Sequence, residues 1–115
     1  MLAVIYARYS DSKQKEESIE AQVKVCHQYA IQQGYTILNE YIDRAISGKT
    51  DDRPQFQRMI KDSRKRKFQK VIVYRLDRFS RSILDKEVYK DILSKNDVKL
   101  ESATENIPDN STGVL

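Results

Sequence analysis

The stretch Leu2-Ala3-Val4-Ile5-Tyr6-Ala7-Arg8-Tyr9-Ser10 decides the fold. Its opening is an unbroken apolar run, which reads as a strand buried on both faces, inside a sheet with helices on each side. The run passes without a loop into Arg8 and Ser10, which therefore lie at the strand's carboxyl end. In open α/β sheets that end is where ligands bind. Residues two apart leave a strand on the same face, so alternation carried as far as Ser10 brings a hydroxyl and a guanidinium together. Ser10 is the candidate nucleophile.

Working outward, residues 11–15 are polar and read as a loop over that edge. A helix follows, starting between Glu16 and Ser18, with Ile19, Val23, Cys26 and Ala30 as its buried stripe and Gln22 beside it. Gly34 is its stop. Tyr35 to Ile42 alternates in part and reads as a second strand. A polar connection from Asp43 to Arg53 holds Ser47-Gly48 and leads to Pro54, which suits the first turn of a helix with Arg53 just outside it. Phe56, Met59, Ile60 and Ser63 mark that helix's inner face. Lys70 to Arg75 is another buried strand, and its carboxyl end carries Leu76-Asp77-Arg78-Phe79-Ser80-Arg81. A third helix runs from Ser82 or Leu84 to Ser94, with Leu84, Val88 and Ile92 as its apolar positions. Val98 to Ser102 is a short fourth strand, and residues 106–113 form a loop. Strands alternating with helices predict an α/β fold: a mostly parallel central sheet with helices on both faces.

At 115 residues the chain is one domain, 39% hydrophobic and 33% charged, as expected of a soluble globular protein. No apolar run approaches the roughly 20 residues of a membrane span, so no membrane role is expected. The single cysteine, Cys26, forms no internal disulfide, which points to a reducing cytoplasm. It falls on an apolar helix face and reads as core. His27 is the only histidine, so the sequence offers no zinc-ligand cluster. The net charge is +4, but between Lys61 and Lys86 ten Lys or Arg stand against three Asp. A polyanionic partner is the natural inference, because clustered cations gain by releasing nucleic-acid counterions. Arg64 to Lys67 alone reads more simply as a solvated helix end.

Three strand-end segments converge on one sheet edge: Arg8 and Ser10, then Arg53, then Asp77, Arg78 and Arg81. Arginine offers a rigid fork of donors matched to phosphate oxygens. A serine attacking a phosphodiester needs such preorganised cations as charge grows on the oxygens. No general base is evident: either an arginine depresses the serine's pKa or a carboxylate such as Asp77 takes part. Simpler readings stand beside this one. Arg8 could pair with Asp43, Arg53 could merely flank Pro54, and Asp77 with Arg78 could be a local surface pair. No Gly-rich loop follows the first strand, which argues against a nucleotide-dependent enzyme. The remaining rival is an α/β module that binds nucleic acid or phosphate without turnover.

Tyr6-Ala7-Arg8-Tyr9-Ser10, with Gln14 and Ser18-Ile19-Glu20-Ala21-Gln22, resembles the opening of the serine recombinases, the resolvase/invertase family. Asp43 with Ser47-Gly48 and Arg53-Pro54 is similar to the same family, as is Leu76-Asp77-Arg78-Phe79-Ser80-Arg81. The match spans about residues 2–115, and the Ser18–Gln22 and Arg53-Pro54 segments look more like the large serine recombinases. The resemblance implies a resolvase-like catalytic domain in which Ser10 forms a covalent phosphoserine bond to a DNA 5′ end. It implies that Arg8, Arg78 and Arg81 bind and activate the scissile phosphate with support from Arg53. Gln14, Gln22 and Asp77 would orient these groups, Asp77 with a share in proton transfer, and Tyr6, Asp43 and Ser47 would support the site or the bound DNA. It implies no cofactor or metal, DNA as partner, and a homo-oligomer, dimer to synaptic tetramer, in the full-length protein. The family's long dimerisation helix and DNA-binding region would lie beyond Ser111 to Leu115. The expectation for these 115 residues is therefore an isolated catalytic domain, largely monomeric, binding DNA weakly and not recombining unaided.

Overall fold

The computed structural model describes residues 1–9, 17–44, 53–80 and 82–106. Four strands form one sheet: β1 (Leu2–Tyr9), β2 (Thr36–Arg44), β3 (Lys70–Val73) and β4 (Lys99–Ser102), in the order β2-β1-β3-β4. Every pairing is parallel. The apolar opening stretch is thus a central strand, and its side chains alternate between two cores. Val4 and Tyr6 enter one with Phe56, Met59, Val71, Val73, Phe79 and Leu93. Ala3 and Ile5 enter the other with Cys26, Ala30 and Ile72.

The helices are α1 (Ile19–Gln33), α2 (Pro54–Ser63), α3 (Leu76–Phe79) and α4 (Ile83–Lys95). Ser18 caps α1 by accepting the Ala21 N–H at 3.1 Å, which fixes a start that the sequence leaves open over three residues. Gly34 ends it in the left-handed region at φ +78°, donating to the carbonyls of Ala30 and Ile31. Pro54 opens α2 as expected. One core lies against α1 and the other against α2 and α4, so both faces of the sheet are covered.

Three expectations are corrected. Gln22 is fully buried in the α1 stripe while Val23 only packs at its edge. Leu76 to Phe79, placed by the sequence only at the carboxyl end of a strand, is a single helical turn. In α4, Leu84 and Val88 do not face the core: they are 73% and 49% exposed, and Leu93 is buried with Tyr89 and Ile92 packed beside it. The reason is geometric. Each i to i+4 step overshoots a full turn by about 40°, so the Leu84–Val88–Ile92 row winds off the face that Tyr89, Ile92 and Leu93 share.

Parallel topology also divides the cationic stretch. Residues 64–69 link α2 to the start of β3, where the Gln69 N–H donates to the Leu2 carbonyl at 2.8 Å. That turn lies at the amino edge of the sheet, whereas Arg75 and Arg78 follow β3 at the carboxyl edge. The ten cations do not form one surface.

Candidate active site at the carboxyl edge

The helices α1, α2 and α4 each begin at the edge where β1, β2 and β3 end, so three helix N-termini and their partial positive charge face one region. The floor of that region is an aromatic and carboxylate frame. Tyr6 is fully buried and donates its hydroxyl to Asp43 Oδ2 at 2.9 Å. Burial drives its phenol far above the ordinary value, with the Asp43 carboxylate pushing the same way against the opposing pull of Arg53. Tyr6 is therefore a fixed donor and not a base. Asp43 also accepts the N–H groups of Gln55 at 3.0 Å and Phe56 at 2.9 Å, so it caps α2 from the end of β2. Arg53, the residue at the cap position, makes no side-chain cap bond of its own.

Arg53 instead lays its guanidinium carbon 3.8 Å from the centre of the Phe56 ring and donates from Nη1 to the Phe79 carbonyl. Arg8 reaches across from β1, donating from Nη2 to the Asp77 carbonyl at 3.0 Å and from Nε to the Arg78 carbonyl at 3.4 Å. A helix leaves its last carbonyls without internal partners. In the single turn of α3 those carbonyls are taken up by two arginines from other strand ends. At the other end of α3, Glu105 Oε1 accepts the Leu76 N–H at 2.7 Å.

Among the described residues Arg78 is the most enclosed cation of the site, 6% exposed. Its Nη1 donates to Asp77 Oδ1 at 2.8 Å and its Nη2 to Glu17 Oε1 at 2.6 Å. Its Nε is the one buried side-chain polar atom without a hydrogen-bond partner among the described residues. Gln22 holds the neighbouring backbone in place, donating from Nε2 to the carbonyls of Arg8 and Glu17, each at 2.9 Å. Its Oε1 accepts the Arg8 N–H at 3.4 Å.

Of the expected site residues, Tyr6, Arg8, Gln22, Asp43, Arg53, Asp77 and Arg78 are brought to this one edge. Ser10, Gln14, Ser47 and Arg81 lie outside the described residues. The Asp77–Arg78 pair is not the wholly exposed surface pair that the simpler reading allows, because the arginine is buried. Glu17 and Glu105 also reach this edge, and nothing in the sequence marks them. Each meets its partner across a long sequence separation, and neither stands in a spacing that local pattern reading detects.

Other reactive groups are placed elsewhere. Cys26 is buried against the sheet, and burial pushes its thiol up to about 12, the behaviour of a core residue. His27 pairs with Glu40 at 2.6 Å between α1 and β2. Among the described residues no group of three or more His, Cys, Asp or Glu is arranged to hold a metal ion, and no helix is long and apolar enough to cross a membrane.

The family model described as "Resolvase, N terminal domain" matches residues 3–114. The chain belongs to the resolvase N-terminal domain family. A putative DNA recombinase of Bacillus subtilis (strain 168) is 32% identical over 101 residues, which cover 86% of this chain and 20% of that protein. The resolvase-family chain thus spans about a fifth of the length of that curated relative. The crystal structure of the N-terminal catalytic domain of TP901-1 integrase is 35% identical, with a TM-score of 0.82 over 98% of this chain and 84% of the other. A resolvase family site-specific recombinase from Streptococcus pneumoniae is 32% identical, with a TM-score of 0.84 over 98% of this chain and 78% of the other. These neighbours share the resolvase-like α/β architecture, and the integrase among them fits the resemblance to large serine recombinases.

Proposed function

We propose that this resolvase-family domain is the catalytic domain of a serine site-specific DNA recombinase. Ser10 Oγ attacks the scissile phosphorus, the bond from phosphorus to the 3′ oxygen breaks, and that oxygen leaves as a 3′ hydroxyl after taking up a proton. The product is a 5′-phosphoserine bond, which keeps the bond energy for religation, so the exchange needs no nucleotide or metal cofactor. Arg8, Arg78 and Arg81 bind the non-bridging oxygens, and Arg53 supports the α3 turn from which Arg78 projects. Gln22 orients the β1 terminus, Tyr6 and Asp43 hold the frame beneath it, and Gln14 and Ser47 complete the surroundings. The proton of Ser10 leaves to Asp77 or is lost to solvent under the arginines' field. The partner is DNA in the cytoplasm. Strand exchange takes place in a dimer-to-tetramer assembly of the full-length protein, whose dimerisation helix and DNA-binding region lie outside this domain.

What carries this reading is the gathering of Arg8, Arg53 and Arg78 around the α3 turn at the end of β1, in a chain of this family. Preorganised donors of this kind are each typically worth a hundred- to a thousandfold in rate. The test is a nicked suicide duplex offered to the domain in its full-length context and resolved on a denaturing gel. A covalent adduct on a 5′ phosphate that disappears in Ser10→Ala is expected. DNA binding with no adduct from the unsubstituted protein would identify a binding module on the same scaffold.

A further inference from the structure

Arg78 is held in a way that a finished structural ion pair is not. Its Nη1 and Nη2 each engage a single carboxylate oxygen, while the buried Nε between backbone and guanidinium has no acceptor. One bidentate mode of arginine on phosphate is side-on, with Nε and one Nη donating to two oxygens of the same group. Glu17 supplies only the Nη2 half of that fork. Its position is built in, because its carbonyl is pinned at 2.9 Å by the fully buried Gln22, which also holds the carbonyl of Arg8. The Glu17 side chain is nonetheless 38% exposed against 8% for Arg78, so it can swing into water while the arginine stays.

We propose that Glu17 is an intramolecular stand-in for a DNA phosphate: its carboxylate occupies Arg78 Nη2 in the DNA-free protein and is displaced when a phosphodiester takes Nη2 and Nε together. The inference rests on the recombinase reading of Arg78 and deepens it. The phosphate makes one contact that Glu17 makes and one that it leaves unmade, so exchange favours DNA. A stray anion reaching only Nη2 gains nothing over the resident carboxylate.

The experiment is a titration of the chain with a short blunt DNA duplex at fixed salt, read by NMR through the Arg78 Nε–H resonance and by the dissociation constant. Glu17→Gln keeps size and removes the charge; it is expected to bind the duplex about fivefold more tightly. Glu20→Gln, an equal charge change in the first turn of α1, controls for the general effect of losing an anion and is expected to gain less. In an Arg78→Ala or Arg78→Met background, whichever retains the parent's melting profile, the extra gain from Glu17→Gln over Glu20→Gln is expected to vanish. In the parent the Arg78 Nε–H signal is expected to move on adding duplex. If Glu17→Gln gains no more than Glu20→Gln while the Arg78 variants weaken binding, Glu17 is a positioning residue and the stand-in role is wrong. If the Arg78 variants leave binding unchanged and the Nε–H signal stays put, the assignment of Arg78 to DNA fails first.

Discussion

Replacing Asp43 by Asn tests how the edge is held together. Oδ1 of Asp43 accepts the Gln55 N–H, and Oδ2 accepts both the Phe56 N–H and the Tyr6 hydroxyl, all at 2.9 to 3.0 Å; the two bonds to Oδ2 are buried and the one to Oδ1 is half-buried. An amide of the same size has one acceptor oxygen and an NH2 that only donates. Turned so that the oxygen serves Tyr6 and Phe56, it sets the NH2 against the Gln55 N–H. Turned the other way, it keeps the Gln55 bond and donates to the Tyr6 hydroxyl oxygen, but sets the NH2 against the Phe56 N–H. Either way one charge-assisted bond is lost at about 1.5–3 kcal/mol and the others are weakened. The negative charge at the α2 N-terminus contributes about 0.5 kcal/mol more. A neutral group costs less to bury, which keeps the net loss near about 3 kcal/mol. For a domain of this size that lowers Tm by on the order of 10 °C.

Urea unfolding followed by circular dichroism measures the loss directly, with Tyr6→Phe as comparison. That variant removes one donor of three and leaves the carboxylate paired with backbone, for about 1 kcal/mol. The double variant is expected to lose less than the sum, because both single changes act on one bond. An Asp43→Asn protein within about 0.5 kcal/mol of the parent, or strict additivity with Tyr6→Phe, would refute the claim that this carboxylate sets the start of α2.

Three further outcomes follow from groups away from the edge. Burial alone would raise the Glu101 carboxyl, but hydrogen bonds from Tyr29, Lys70 and Tyr35 outweigh it and leave it below its ordinary 4.5. The stability it contributes is then fully present above 4.5 and lost as pH falls through the lower folded value, so Glu101→Gln should flatten the acid limb of a Tm-against-pH profile; an unchanged limb counts against the network. Cys26, with its thiol pushed up to about 12, should react with a chromogenic disulfide at pH 8 only as fast as the chain opens; rapid stoichiometric labelling of the native protein would contradict its burial. Gly34 has open space where a Cβ would stand, so Gly34→Ala should cost only the left-handed backbone term, about 1 kcal/mol in urea unfolding, and no measurable loss would mean that α1 ends differently.

Much of the fold was legible because its signals are local. The β1 and β3 segments are uninterrupted apolar runs, and Pro54 and Gly34 stand where helix geometry wants them. Where the reading failed, a local signal was ambiguous or too short. An apolar i, i+4 row in α4 coincides with the buried face only at Ile92, and four residues of α3 carry no period at all. The convergence of the site was legible for a topological reason. In a parallel sheet every strand ends at the same edge, and β1 is flanked by β2 and β3, so Arg8 and Asp43 at two of these strand ends, and Arg53 and Arg78 near them, are brought together.

What no local pattern reveals is which atoms meet there, and the pairing chemistry now separates scaffold from working parts. Asp43 and Glu101 each receive three donors, so their charges are fully answered within the chain and their removal is a loss of fold. Arg8 and Arg53 close the open carbonyls of α3 and thereby fix the turn that presents Arg78. Arg78 alone among the described residues keeps a buried donor unanswered. Leaving such a group unpaired costs roughly 1–3 kcal/mol, a cost that folding could have removed by bringing Glu17 side-on. Among the described residues every other buried side-chain donor and acceptor has a partner, and under the proposed function this one deficit lies where an incoming phosphate oxygen would cancel it, so the unpaired Nε is a sharper guide to the proposed phosphate seat than the count of arginines.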